Sequence, residues 1–244
     1  MEQLINTFKW VEAKNYDDMS ALGAQYFIDL LKEKPNAVLG LATGGTPEGL
    51  YAELVKSYKA GEISFAEATS FNLDEYIGVE PDNKVSYHYY MDEQLFKHVD
   101  MRREAINVPK GNVEDMEAST AAYEALIEAA GGVDMQLLGI GINGHIGFNE
   151  PGSKFDSKTQ IVELTESTRE ANKIYFDRYE DVPTHAITMG IDTILHSKKV
   201  VLLISGASKQ EAFDRLRSAE LTEDFPASAL HKHPDVTVIY TGVK

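Results

Sequence analysis

An α/β fold with an open, mostly parallel sheet and helices on both faces is predicted by two features of this sequence. Short apolar runs alternate along the whole chain with segments whose apolar residues recur every three to four positions. Two of the runs, "AVLGLAT" (37–43) and "VVLLI" within "KKVVLLISG" (198–206), carry no charged residue. That is the pattern of a strand buried on both faces, as crossover connections in a Rossmann-like sheet require.

The elements follow in order. In "MSALGAQYFIDLLKEKP", Met19, Leu22, Tyr26, Phe27, Leu30 and Leu31 share one helical face, and Pro35 ends the helix. The first buried strand is 37–43. Next, "TGGTPEGLYAELVKSYKAG" reads as a turn and a helix, with Thr46 as its cap, Pro47 in its first turn and Gly61 past its end. A strand is expected at "ATSFNL" (68–73), and helices at "SYHYYMDEQLFKHV" (86–99) and "MEASTAAYEALIEAAGG" (116–132). "MQLLGI" (135–140) is a strand and "QIVELT" (160–165) a weaker one. The strand of 198–206 is followed by the helix "SKQEAFDRLRSAE", and "DVTVIYT" (235–241) is the last strand. No repeat, linker or low-complexity stretch divides the chain, so a single domain over 1–244 is expected.

Composition narrows the function. Of 244 residues, 43% are hydrophobic, enough for a full core. The net charge of −16 argues against nucleic acid and anionic membrane surfaces as partners. No run approaches the roughly 18 apolar residues of a membrane span, and the N-terminus lacks the basic and apolar regions of a signal peptide. The absence of cysteine excludes disulfides, thiol catalysis and cysteine-ligated zinc, and fits a cytoplasmic protein.

Ligands of open α/β sheets sit beyond the carboxyl ends of the strands. Four strand exits are rich in functional groups here: "TGGTPEG" after 37–43, "DEY" after 68–73, "GINGHIGFNEPG" after 135–140 and "SGASK" after 199–204. Thr43, Gly44, Gly45 and Thr46 before a helix suit an anion, because inward backbone amides and hydroxyls are donors. They equally suit a tight turn. Lys209 near another helix start opposes that helix's dipole unless an anion lies between them, and is otherwise a surface lysine. Asp74 reads as a general base at the strand edge or as a turn aspartate.

Gly139, Gly141 and Gly144 spell G-x-G-x-x-G, a dinucleotide fingerprint. It requires a helix at its third glycine, and "HIGFNEPGSKF" offers Pro151 and Gly152 instead. The nicotinamide reading fails, and the stretch is a loop around His145 and Glu150. A carboxylate on one imidazole nitrogen would fix the tautomer for acid–base work. A loop histidine satisfied by backbone carbonyls is the plainer alternative. His231 and His233 in "LHKHP" lack the third and fourth ligands of a typical metal site. No metal is expected.

Together, "LGLATGGTPEGLY", "FNLDEYIG", "LLGIGINGHIGFNEPGS", "TREAN" and "DFPASALHKHPDVTV" resemble the bacterial-type glucosamine-6-phosphate deaminases (isomerising), from about 37 to 238. The resemblance implies a cofactor-free conversion of glucosamine 6-phosphate and water to fructose 6-phosphate and ammonia, with the small sugar phosphate as partner. It implies a catalytic set of Asp74, Asn143, His145 and Glu150. Asp74 carries the proton from C2 to C1, His145 opens the pyranose ring, Glu150 tunes His145, and Asn143 orients where some members have an ionisable aspartate. Thr43, Gly44, Gly45, Thr46 and Lys209 hold the phosphate, and a lid spans roughly 160–185. One position departs: Ile174 in "NKIYF" stands where the family often has a phosphate-contacting arginine.

The resemblance also implies an effector site in the activated members, built from basic residues of the strand after the catalytic loop and a C-terminal extension. "QIVELT" offers Gln160, Val162 and Glu163 instead, and the chain ends at Lys244, so no allosteric activation is expected, whether the protein is a monomer or a homo-oligomer. Two rivals are a 6-phosphogluconolactonase-type hydrolase and a sugar-phosphate-sensing domain. The latter needs no acid–base set and usually carries a basic helix-turn-helix, for which the acidic N-terminal stretch is too short.

Overall fold

The computed structural model describes residues 8–244. In chain order the elements are β1 (Lys9–Glu12), α1 (Tyr16–Glu33), β2 (Val38–Leu41), α2 (Glu48–Lys59), β3 (Thr69–Asn72), β4 (Asp74–Tyr76), α3 (Tyr87–Gln94), β5 (Ile106–Asn107), α4 (Met116–Ala129), β6 (Met135–Gly139), β7 (Gln160–Glu163), α5 (Glu166–Asn172), β8 (His185–Thr188), α6 (Ile191–Leu195), β9 (Val200–Ser205), α7 (Gln210–Arg217) and β10 (Val236–Thr241).

Seven strands form one sheet in the order β1-β10-β9-β6-β2-β3-β5, and every pairing in it is parallel. Helices cover both faces. Adjacent residues of a strand point to opposite sides. On β10, Ile239 meets α1 at Gly23, while Tyr240 packs on Phe213 of α7 with ring centroids 4.7 Å apart. The predicted fold class holds. The stretch "QIVELT" departs from the parallel pattern: β7 joins β8 and β4 in a separate, antiparallel three-stranded sheet. That sheet has its own small core of Tyr76, Phe148, Leu164 and Ala186.

The topology places the site. Chain order runs outward one way through β2, β3 and β5, and the other way through β6, β9 and β10. The reversal lies between the neighbours β2 and β6, and a crevice opens beyond the carboxyl ends of strands at such a point. The glycine–threonine turn leaves β2 there, and the His145 loop leaves β6.

Local chemistry explains most element ends. Asn15, Ser86, Asp115 and Thr165 each accept from a backbone N–H three residues on and so start α1, α3, α4 and α5. The expected cap of α2 is a correction. Pro47 occupies the N-cap position, no side chain caps the helix, and the Thr46 hydroxyl is left for another use. Gly61, at φ +74°, follows the last turn as predicted. No helix of the described residues is long and apolar enough to cross a membrane.

Candidate active site

The turn after β2 is wired in one sense. Its carbonyls at Gly44, Gly45 and Thr46 face tyrosine hydroxyls: Tyr90 Oη donates to Gly44 O at 2.7 Å, and Tyr16 Oη lies 3.0 Å from Gly45 O and 3.1 Å from Thr46 O. The N–H groups of Thr43, Gly44, Gly45 and Thr46 donate to no group among the described residues. They lie beside the start of α2, where the helix dipole leaves partial positive charge.

Asp74 opens β4, opposite Thr188 of β8. It is buried, and burial followed by the neighbouring Glu75 charge pushes its carboxyl up to about 8. No donor offsets that cost. Gly147 passes directly over it at φ +57°, and a Cβ there would lie 3.4 Å from Asp74 Oδ2 and 2.9 Å from Thr188 Oγ1. The positive φ and the close approach to Thr188 Oγ1 favour glycine there. Glu75 points away and behaves differently. Its Oε1 accepts from Tyr76 N (2.9 Å) and Tyr87 N (3.0 Å), and its Oε2 from His88 N (3.0 Å). It thus ties β4 to the N-terminus of α3, whose orphan amides it satisfies.

The loop after β6 starts no helix, so the dinucleotide fingerprint is rejected by geometry as well. His145 Nδ1 is buried and lies 3.5 Å from Glu150 Oε2, with no closer partner. Asn143 Nδ2 donates to the same oxygen at 2.8 Å, and Asn143 Oδ1 accepts from His145 N at 3.2 Å. Asn143 therefore braces both members of the pair. On its other side Glu150 Oε1 accepts from the hydroxyls of Thr165 (3.2 Å) and Thr168. Burial alone would raise the Glu150 carboxyl. The contact with His145 and its charge, then Thr168 and Asn143, overcome that and hold it at about 2. A carboxylate that stays ionised keeps a proton on Nδ1 and leaves Nε2 for the cavity.

These groups surround a cavity of about 260 Å³. Thr43, Gly44, Thr46, Asp74, Asn143, His145 and Lys209 line it. Gly45 is exposed and does not, and Glu150 sits behind His145. Lys209, at the start of α7, is the one lysine or arginine of the described residues in the wall, and no salt bridge engages it. Burial pulls its ammonium down from the ordinary value. Ile174 is 78% exposed and outside the wall. Arg169 is also outside the wall. It is stacked 4.5 Å from the Tyr179 ring and donates to Val182 O at 2.9 Å.

Sequence reasoning missed Ser167, Thr168 and Asn172 on α5, and Tyr87, all of which line the cavity. Asn172 Nδ2 also donates to Tyr76 Oη at 2.9 Å, which anchors α5 over the small sheet. The predicted lid region and the motif "TREAN", which holds Thr168 and Asn172, marked the segment without singling out these side chains. His231 and His233 lie away from the cavity, with Nε2 on Leu216 O (2.8 Å) and Ser197 O (2.7 Å).

Residues 13–239 match the family model "Glucosamine-6-phosphate isomerases/6-phosphogluconolactonase". The chain belongs to this family. Within the glucosamine-6-phosphate isomerase/6-phosphogluconolactonase family, its similarity is uneven. It is 55% identical to a glucosamine-6-phosphate deaminase of Lysinibacillus sphaericus (strain C3-41), over 96% of this chain and 99% of that one. It is 51% identical to glucosamine-6-phosphate deaminase 1 of Bacillus subtilis (strain 168), over 95% and 96%. Among solved structures, a monomeric glucosamine-6-phosphate deaminase superposes with a TM-score of 0.94 at 51% identity, covering 95% of this chain and 96% of that one. A 6-phosphogluconolactonase of Thermotoga maritima gives 0.76 at 21% identity over 96% and 99%, which shows the shared fold.

Proposed function

We propose that this protein is a glucosamine-6-phosphate deaminase: it converts glucosamine 6-phosphate and water to fructose 6-phosphate and ammonia. The observation that carries the reading is a buried, unpartnered carboxylate, Asp74, in one 260 Å³ cavity with an anion seat and a carboxylate-backed histidine. The sugar's phosphate sits on the amides and hydroxyls of 43–46 and on Lys209. His145 exchanges protons between the ring oxygen and the C1 hydroxyl to open the pyranose. Asp74 takes the proton from C2 and returns it to C1, which moves the unsaturation to C2 as an imine. Water adds to that imine and ammonia leaves. A carboxylate suits the transfer because it reaches adjacent carbons with one proton.

Identity favours the deaminase over the lactonase of the same family, since relatives named for the former share 51–55% of their residues with this chain. The test is to follow ammonia and fructose 6-phosphate from glucosamine 6-phosphate, beside acid release from 6-phosphogluconolactone. Activity on the lactone alone would replace this reading with the rival. A cytoplasmic place fits the substrate, whose charge keeps it from crossing membranes unaided.

Lys209→Ala is expected to raise KM about 10–100-fold, the worth of a charge-assisted contact to phosphate. Unphosphorylated glucosamine should be a very poor substrate of the parent enzyme. An unchanged KM in Lys209→Ala would place the anion seat elsewhere.

Saturation is expected to be hyperbolic, with no response to N-acetylglucosamine 6-phosphate. On β7, Gln160 Nε2 lies 3.4 Å from Asn149 Oδ1, and Glu163 is exposed where a phosphate dianion would meet it. A Hill coefficient clearly above one, lowered by the acetylated sugar, would contradict this.

A further inference from the structure

The peptide planes of the glycine–threonine turn are held by tyrosines that do not line the cavity. In a trans peptide, the C=O of one residue and the N–H of the next point to opposite sides of the chain. Pinning a carbonyl therefore aims the following amide. Tyr51 Oη donates to Ala42 O at 2.5 Å, and this plane carries the N–H of Thr43. Tyr90 Oη holds Gly44 O and so aims the N–H of Gly45. Tyr16 Oη lies between Gly45 O and Thr46 O, and the Gly45 plane carries the N–H of Thr46. Tyr16 is itself fixed, because its hydroxyl accepts from Gly49 N at 3.0 Å.

The three hydroxyls arrive from different elements. Tyr16 begins α1, Tyr51 lies in α2 and Tyr90 in α3. Without them the turn has little to resist rotation of its peptides, since Gly44 at φ +99° and Gly45 have no Cβ and open space around them. Tyr90 has a second connection. The start of α3 hangs on Glu75, the residue beside Asp74. A rigid path thus runs from the proposed base through Glu75 and α3 to Tyr90 and Gly44.

We infer that Tyr90 and Tyr16 are positioning residues for the phosphate seat: Tyr90 fixes the peptide plane that follows Gly44, and Tyr16 fixes the plane that carries the N–H of Thr46, so the two hydroxyls hold the two cavity-lining residues on either side of the exposed Gly45. This rests on the deaminase reading only for the identity of the sugar; the anion seat is the same for any phosphate ester. Loss of a clamp leaves a turn that is aimed correctly for only a fraction of the time. Apparent affinity then falls in proportion to that fraction. The cost appears in ground-state binding of the phosphate and far less in the proton-transfer step.

The test uses Tyr90→Phe, Tyr16→Phe and the double variant, which keep the rings and remove only hydroxyls. Three quantities are read: KM and kcat for glucosamine 6-phosphate, the affinity for inorganic phosphate from phosphate-dependent thermal melts, and Tm without phosphate. Tyr90→Phe should raise KM about five- to twentyfold while kcat changes less than threefold. Phosphate affinity should weaken by the same factor, and the double variant should be weaker still. A lower Tm with KM and phosphate affinity within twofold of the parent would make the tyrosines merely structural and overturn the inference. So would a parent protein that binds no phosphate, or a loss confined to kcat. If the parent binds phosphate and the variants weaken it, but no ammonia forms from glucosamine 6-phosphate, the clamp stands and the deaminase reading falls.

Discussion

Asp74→Asn should lower kcat by ~10²–10⁴, the usual worth of a positioned general base, while phosphate affinity stays near that of the parent. Retention of more than about a tenth of kcat would remove Asp74 from the proton-transfer step. The same side chain sets the alkaline demand of the free enzyme. With its carboxyl held near 8, the ionised form that accepts a proton grows as pH rises, so kcat/KM should climb through the neutral range and level off above about 8.

The variant also has a stability signature that is opposite in sign to its activity. The folded chain holds a proton on Asp74 up to about 8, whereas an unfolded chain releases it near the ordinary value of 3.8. Between those values the folded state binds more protons, so Asp74 makes the protein less stable as pH rises. Its favourable contribution is complete below 3.8 and is lost by the time pH passes about 8. Asparagine does not ionise and escapes this penalty, less the cost of burying an unpartnered amide. A net gain of about 2 kcal/mol at pH 8 would raise Tm by ~4–8 °C for a chain of this size. The gain should shrink toward pH 4. Equal or lower stability of the variant at pH 8 would mean that Asp74 is not held in its neutral form.

Buried parallel strands were the most legible part of the fold. β2, β3, β6, β9 and β10 all fall within runs free of charged residues, because a strand covered on both faces tolerates no charge. β4 was not legible as a strand. "DEY" begins with two carboxylates, which strands disfavour, and only the ladder with β8 and the amides of α3 hold it extended. β1 lies at an edge of the main sheet and β5 is two residues long, too short to show a period. At the site, strand exits pointed to Thr43, Thr46, Asp74, His145 and Lys209, since topology alone brings such exits together. Tyr16, Tyr90 and Thr168 reach the site from helices distant in sequence. Tyr16 even sits next to a capping asparagine, whose pattern describes only the start of α1.

His145→Gln is the second change with a large expected effect, and pairing it with Glu150→Gln tests how the loop works. If His145 moves protons at the sugar ring, its loss should cost kcat ~10²–10⁴. Inorganic phosphate should bind as before, because the imidazole is not part of the seat. Glu150 lines no part of the cavity and meets the substrate only through His145, so it is a positioning residue. Glu150→Gln keeps a group that can accept from Thr165 and Thr168 but removes the charge that holds the proton on Nδ1. Its cost should be smaller, about 10–100-fold. In the double variant the two losses should not multiply. Residues that act as one unit are strongly non-additive, and with the imidazole gone Glu150 has nothing left to orient. Activity of the double variant close to that of His145→Gln alone is therefore expected. A double variant poorer by the full product of the two losses would show Glu150 acting on the substrate by a route of its own, and a His145→Gln variant within tenfold of the parent would take ring opening away from this loop.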